Sequence, residues 1–189
     1  ISICAVSPSI DLHASAELII KRSNWIYHRD FVYRLKKRLR TKHQLFPERY
    51  DITGLDAVRT LREFDDRFTA RSHGFADADD YYYKASSIRV IDRIRIPTLI
   101  IHAQDDPFIP FAPLRDPVVK NNPYILLIDP ERGGHVAFLA SKHESRSAAS
   151  EATDASHITH HSSLRSGDRF WSENRVVEFC ALANNELKQ

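Results

Sequence analysis

Two short apolar runs, IPTLIIHA (96–103) and YILLID (124–129), constrain this chain more than any other feature. Each contains or follows a proline, Pro97 or Pro123, and each gives way to acidic or turn residues. Continuous Ile- and Leu-rich runs of this length suit central strands of a parallel sheet, buried on both faces by covering helices. The connection over 104–123 is long enough for a crossover that carries a short helix. The opening ISICAV (1–6) reads as a further buried strand, followed by the turn SPSIDL with its Pro8 and Asp11.

Between the first strand and the second lies a helical block. Over 12–42, Tyr27, Phe31, Leu35 and Leu39 recur every four residues with Val32 beside them, which predicts one apolar stripe. The other side carries Arg34, Lys36, Lys37, Arg38 and Arg40, and Pro47 ends the pattern. A second helix is predicted over 54–67, with Leu55, Val58, Leu61 and Phe64 on one side. RSHGFADADDYYYKASS then reads as a polar and aromatic loop leading into a short helix. From 141 to 168 the chain is rich in Ser, Ala and His and poor in large apolar residues, which predicts a flexible insertion. Residues 169–189 predict a final amphipathic helix, its apolar side drawn from Phe170, Trp171, Val176, Val177, Phe179 and Cys180. The fold class is therefore α/β: strand, helical block, strand, crossover, strand, helix, with no internal repeat.

Composition narrows the function classes. With 27 basic and 25 acidic residues the formal charge is +2, which makes no general argument for nucleic acid or membrane partners. Two cysteines far apart in sequence, Cys4 and Cys180, argue against a disulfide framework and suit a cytoplasmic location. They are read as small apolar residues. No apolar run is long enough to span a bilayer. The chain has no methionine and begins directly in an apolar strand, which raises the expectation that a preceding portion is missing.

The chemistry-bearing constellation is AQDDPFIP (103–110) with GGHVAF (133–138). Each follows the C-terminal end of a predicted parallel strand, where α/β sheets place their sites. An acid beyond one strand and a histidine beyond the next can meet above the sheet, the carboxylate fixing the tautomer of the imidazole. Gly133 and Gly134 allow a sharp bend before His135, in a chain with only five glycines.

DDPFIP, GGHVAF and RFWSENRVVEF, with SPSIDL and LREFDDRFTARSHGFADADDYYYKASS, resemble the YheT-like branch of the α/β-hydrolase superfamily. The resemblance runs from Ile1 to about Ala183, apart from the Ser/His-rich stretch. It implies a serine hydrolase of carboxylic esters with short or medium acyl chains. It assigns the catalytic acid to Asp106, four residues before Pro110, and the base to His135, and leaves Asp105 to structure its loop. It makes 12–95 a cap-like region over the substrate pocket and 96–140 the part that bears the acid and histidine loops.

The departure from that family is the nucleophile. No G-x-S-x-G elbow occurs in these residues, and the oxyanion-hole segment is absent too. By the family's layout ISICAV is the sixth strand and the serine lies upstream of Ile1. The 189 residues are therefore expected to be a partial hydrolase domain, the C-terminal part of the fold, and catalytically inactive alone. The expected partners are a small-molecule or lipid ester and the N-terminal half of the same fold.

The alternative is a truncated, non-enzymatic hydrolase-like domain or interaction module. A membrane-surface role for the basic stretch 21–44 ranks below both, and nucleic acid below that. No cofactor or metal is expected: HITHH (157–161) and His143 offer imidazoles but fall in the insertion. His102 is read as a core residue and SHGF (72–75) as a loop.

Overall fold

The computed structural model describes residues 1–138 and 171–186. The expected insertion at 141–168, with His143 and HITHH, lies outside the described residues, as does Phe170. In chain order the elements are β1 (Ile3–Val6), α1 (Leu12–Ile19), α2 (Trp25–Leu45), α3 (Leu61–Phe64), α4 (Ala70–Ser72), α5 (Ala78–Ala85), β2 (Thr98–Ile101), α6 (Pro117–Lys120), β3 (Ile125–Ile128) and α7 (Trp171–Glu186). The chain divides into two compact units. One holds residues 1–8, 94–106 and 120 onward, and the other 9–93 and 107–119.

The first unit is the parallel sheet, an α/β arrangement as the sequence predicts. Among the described residues its order is β1–β2–β3, all parallel. The register pairs Cys4 with Leu99 and Leu99 with Leu126, and likewise Val6 with Ile101 and Ile101 with Ile128. Side chains alternate along a strand, so these six share one face. Val176 and Phe179 of α7, together with Ala103 and Phe138, pack with them into one core. Every residue of β2 is buried.

Two expectations need correcting here. YILLID was expected to be buried on both faces and ISICAV to be a buried strand, yet β1 and β3 flank β2 and are only partly buried, with Ile3 exposed. Only β2 has a described strand on either side. On α7, Val177 was expected on the apolar side, but it is exposed, because Val176 and Phe179, three residues apart, already define the face that meets the sheet.

Widely separated in sequence, Cys4 on β1 and Cys180 on α7 come together with Sγ atoms 3.8 Å apart, both thiols free and partly buried. Burial, and then the neighbouring Cys180 sulfur, push the Cys4 thiol up to about 11.

The second unit is helical. Asp11 caps α1, accepting from the Ala14 N–H at 3.0 Å. The single helix expected over 12–42 is two helices, because the chain breaks at Ile20–Lys21 and re-enters through a 3₁₀ turn, Arg22–Asn24. The buried Asn24 holds this break, its side-chain amide donating to the carbonyls of Leu18 (3.0 Å) and Pro107 (2.7 Å).

The expected stripe on α2 is also displaced. His28, Val32 and Leu39 are buried, with Leu35 packed against the core, while Tyr27 and Phe31 are exposed. The cause is polar: His28 Nε2 accepts the Leu61 N–H at 3.0 Å, satisfying an orphan donor in the first turn of α3. Turning His28 inward carries Tyr27 out, where it meets Phe108 edge-on at 4.9 Å.

The helix expected over 54–67 is likewise interrupted. A 3₁₀ turn spans Leu55–Ala57, and Thr60 and Glu63 form a capping box that starts α3 afresh. A π-helical turn, Asp65–Thr69, then joins α3 to α4. The residues expected on one side still pack together: Leu55, Val58 and Phe64 are buried with Val32, Leu39 and Phe68, and Leu61 lies against them. Among the described residues no helix is long and apolar enough to cross a membrane.

Leu99→Ala is expected to cost about 3 kcal/mol in urea unfolding, and Val177→Ala no more than about 0.5 kcal/mol. Equal losses at both positions would contradict the packing described. At pH 8, Cys4 should react with iodoacetamide about a hundredfold more slowly than an exposed thiol, since so little of it is thiolate. Its rate should climb about tenfold per pH unit, and a rate matching free cysteine at pH 8 would contradict the pairing.

A histidine–aspartate pair at the rim of the sheet

The parallel register fixes what lies beyond the strands. β1, β2 and β3 end level at Val6, Ile101 and Ile128, so the segments that follow leave the sheet at one rim. After β2 the chain passes through His102 and Ala103 and turns, with the Asp106 N–H donating to the Ala103 carbonyl at 3.3 Å. After β3 it runs through Asp129 and Pro130, and the Pro130 carbonyl accepts from the Gln104 N–H at 2.9 Å. The two segments therefore run side by side.

There Asp106 and His135 meet. His135 Nδ1 lies 2.9 Å from Asp106 Oδ2. The Asp106 side chain is wholly buried, whereas that of His135 is 34% exposed. A carboxylate oxygen accepts, so Nδ1 is the donor and the lone pair of the ring falls to Nε2. This arrangement can hold one imidazole tautomer and stabilise the imidazolium that proton uptake at Nε2 would create.

Asp105 takes a different position. Its Oδ1 accepts the N–H groups of Gly133 (2.9 Å) and Gly134 (2.8 Å), tying the acid segment to the histidine turn. The two glycines serve distinct needs. A Cβ at Gly133 would fall 2.6 Å from the Phe138 ring and 2.9 Å from Ala103 Cβ, and Gly134 adopts a left-handed φ of +58°.

His102 is a wholly buried residue with Nε2 3.9 Å from Asp106 Oδ2, so two imidazoles flank one carboxylate. Among the described residues no group of His, Cys, Asp or Glu side chains could hold a metal ion. Sequence reasoning missed Ser7. It follows β1 at the same rim, is buried, has φ +48°, and accepts the Val136 N–H at 3.4 Å. Its place after a predicted strand was the only available signal.

No family model matches the chain, and no solved structure matches it. Curated proteins do. The Escherichia coli protein YheT is 39% identical over 136 residues, which is 71% of this chain and 40% of that protein. The Mus musculus phospholipase ABHD3 is 33% identical over 127 residues, 67% of this chain and 31% of that protein. Medium-chain fatty acid ethyl ester synthase/esterase 2 of Saccharomyces cerevisiae is 44% identical over 84 residues, 44% of this chain and 18% of that protein. The chain thus spans two fifths or less of the length of these relatives. With its parallel α/β sheet and this degree of identity, the chain is related to the YheT-like branch of the α/β-hydrolase superfamily.

Proposed function

We propose that His135 and Asp106 are the base and acid of a serine hydrolase acting on carboxylic esters. The observation that carries this reading is the 2.9 Å bond between a buried carboxylate and a partly exposed imidazole at the C-terminal rim of a parallel sheet. In this mechanism His135 Nε2 takes the proton of a serine hydroxyl as its oxygen attacks the ester carbonyl. Asp106, bonded at Nδ1, stabilises the resulting imidazolium. The imidazolium then gives its proton to the departing alkoxide, leaving an acyl-enzyme and the free alcohol. A water activated by the same nitrogen hydrolyses the acyl-enzyme to the acid and restores the serine.

None of the 189 residues stands in a G-x-S-x-G elbow. On this reading the nucleophile and the oxyanion donors come from polypeptide outside these residues. The helical region 12–95 then serves as the cap over the acyl pocket. A short or medium acyl chain is the substrate favoured, supported by the relative named for medium-chain ethyl esters.

The test is hydrolysis of p-nitrophenyl butyrate, octanoate and palmitate by a protein that joins this chain to a YheT-like nucleophile segment. The joined protein should favour the two shorter esters, and Asp106→Asn or His135→Ala should each lower kcat by about 10⁴-fold. The 189 residues alone should show no turnover. Wild-type rates in either variant, or ester turnover by the isolated chain, would overturn the assignment.

A further inference from the structure

Three backbone N–H groups around His135 are taken by two side chains, one from the end of β1 and one from the end of β2. Those of Gly133 and Gly134 donate to Asp105 Oδ1, and that of Val136 donates to Ser7 Oγ. The turn they hold is a demanding one. Gly134 sits at φ +58° and Val136 at φ +52°, and a β-branched residue in that region is strained. Such a backbone persists only where its surroundings over-determine it. Asp105 and Asp106 are neighbours in sequence with the same side chain, yet one carboxylate grips the imidazole and the other the backbone that carries it.

We infer that Asp105, assisted by Ser7, is a positioning residue for His135. Both side chains act on the backbone of the turn that carries the ring. Asp105 acts through two N–H bonds to one side-chain oxygen, and Ser7 holds the same turn through a third, longer bond. Together they fix the direction in which the Cα of His135 projects its ring, and so the approach of Nδ1 to Asp106. The inference rests on the reading of His135 and Asp106 as the working pair, and it adds the residues that aim them.

The test uses the 189-residue chain and proton NMR at low temperature, following the His135 Nδ1 proton, whose resonance is assigned by its loss in Asp106→Asn. Asp105→Ala should speed exchange of that proton with water by about tenfold or more, as two bonds that hold the turn are removed. Far-UV circular dichroism and the methyl resonances of Leu99 and Ile101 should stay as in the wild type. Asp105→Asn keeps an acceptor oxygen in the same place and should remain within about twofold of the wild type. Ser7→Ala should speed exchange by a smaller factor, its bond being longer and neutral. A general loss of stability would move the circular dichroism and core methyl signals, which this role leaves alone.

If Asp106→Asn abolishes the signal while Asp105→Ala leaves exchange within about twofold of the wild type, Asp105 does not position the ring, though the pair stands. Equal acceleration in Asp105→Ala and Asp105→Asn would make the effect one of charge and would also overturn the inference. Absence of the signal from the wild type, with no His135 resonance altered by Asp106→Asn, would remove the pair itself and the inference with it. Should Asp105→Ala fail to fold, Asp105→Ser makes the same comparison, since its hydroxyl is one bond short of the carboxylate oxygen.

Discussion

The parallel, level register of the three strands is the constraint on which the rest of the site depends. Ile101 is paired with Val6 on one side and Ile128 on the other, so three chain segments leave the sheet at one height and in one direction. Were β2 and β3 antiparallel, the residue after one would stand beside the start of the other. A four-residue strand, about 13 Å long, would then separate the segments that bear Asp106 and His135. No side-chain rotamer closes such a gap. The short bond is therefore a consequence of topology before it is a matter of side-chain chemistry.

Topology brings the segments together without choosing between adjacent acids, and local geometry makes that choice. Asp106 lies inward, with its side chain fully buried and His102 on its other flank. Its neighbour Asp105 is exposed, which leaves it free to accept backbone donors at the surface. A buried carboxylate needs bonded partners, because burial removes the water that would solvate it. The His135 ring supplies one at 2.9 Å.

Much of the sheet and of the pair was legible in the sequence, because both depend on features written into short stretches. Continuous Ile and Leu runs mark strands whatever packs on them, and GGH and DDP stand where loops must leave a parallel sheet. The rotation of α2 was not legible. Tyr27 and Phe31 outrank His28 on any scale of apolarity, but His28 is turned inward by an N–H group 33 residues away, at Leu61. The break after α1 depends on Asn24 reaching the carbonyl of Pro107, again a partner distant in sequence. The proximity of Cys4 and Cys180 follows from how α7 lies on the sheet, which their 176-residue separation conceals. Periodicity reports which residues are apolar. Which of them face inward is settled by polar groups that need partners.

The residues that form and aim the pair all lie within one compact unit: Ser7, Asp105, Asp106 and the turn 133–136. None of the bonds among them requires a side chain from the helical unit. The proposed mechanism needs two separable things, a base held in one tautomer and a pocket that selects the acyl group. On the proposed reading the first is built from three strand ends and a strained turn, so its geometry can persist while the pocket varies. Such a division fits the relatives, whose names span a phospholipase and a medium-chain ester synthase. On the proposed reading, differences in acyl preference within this branch would arise in the helical region or beyond these residues. The acid–base pair would be carried unchanged, because a shift of even one residue in the register of β2 against β3 would part it.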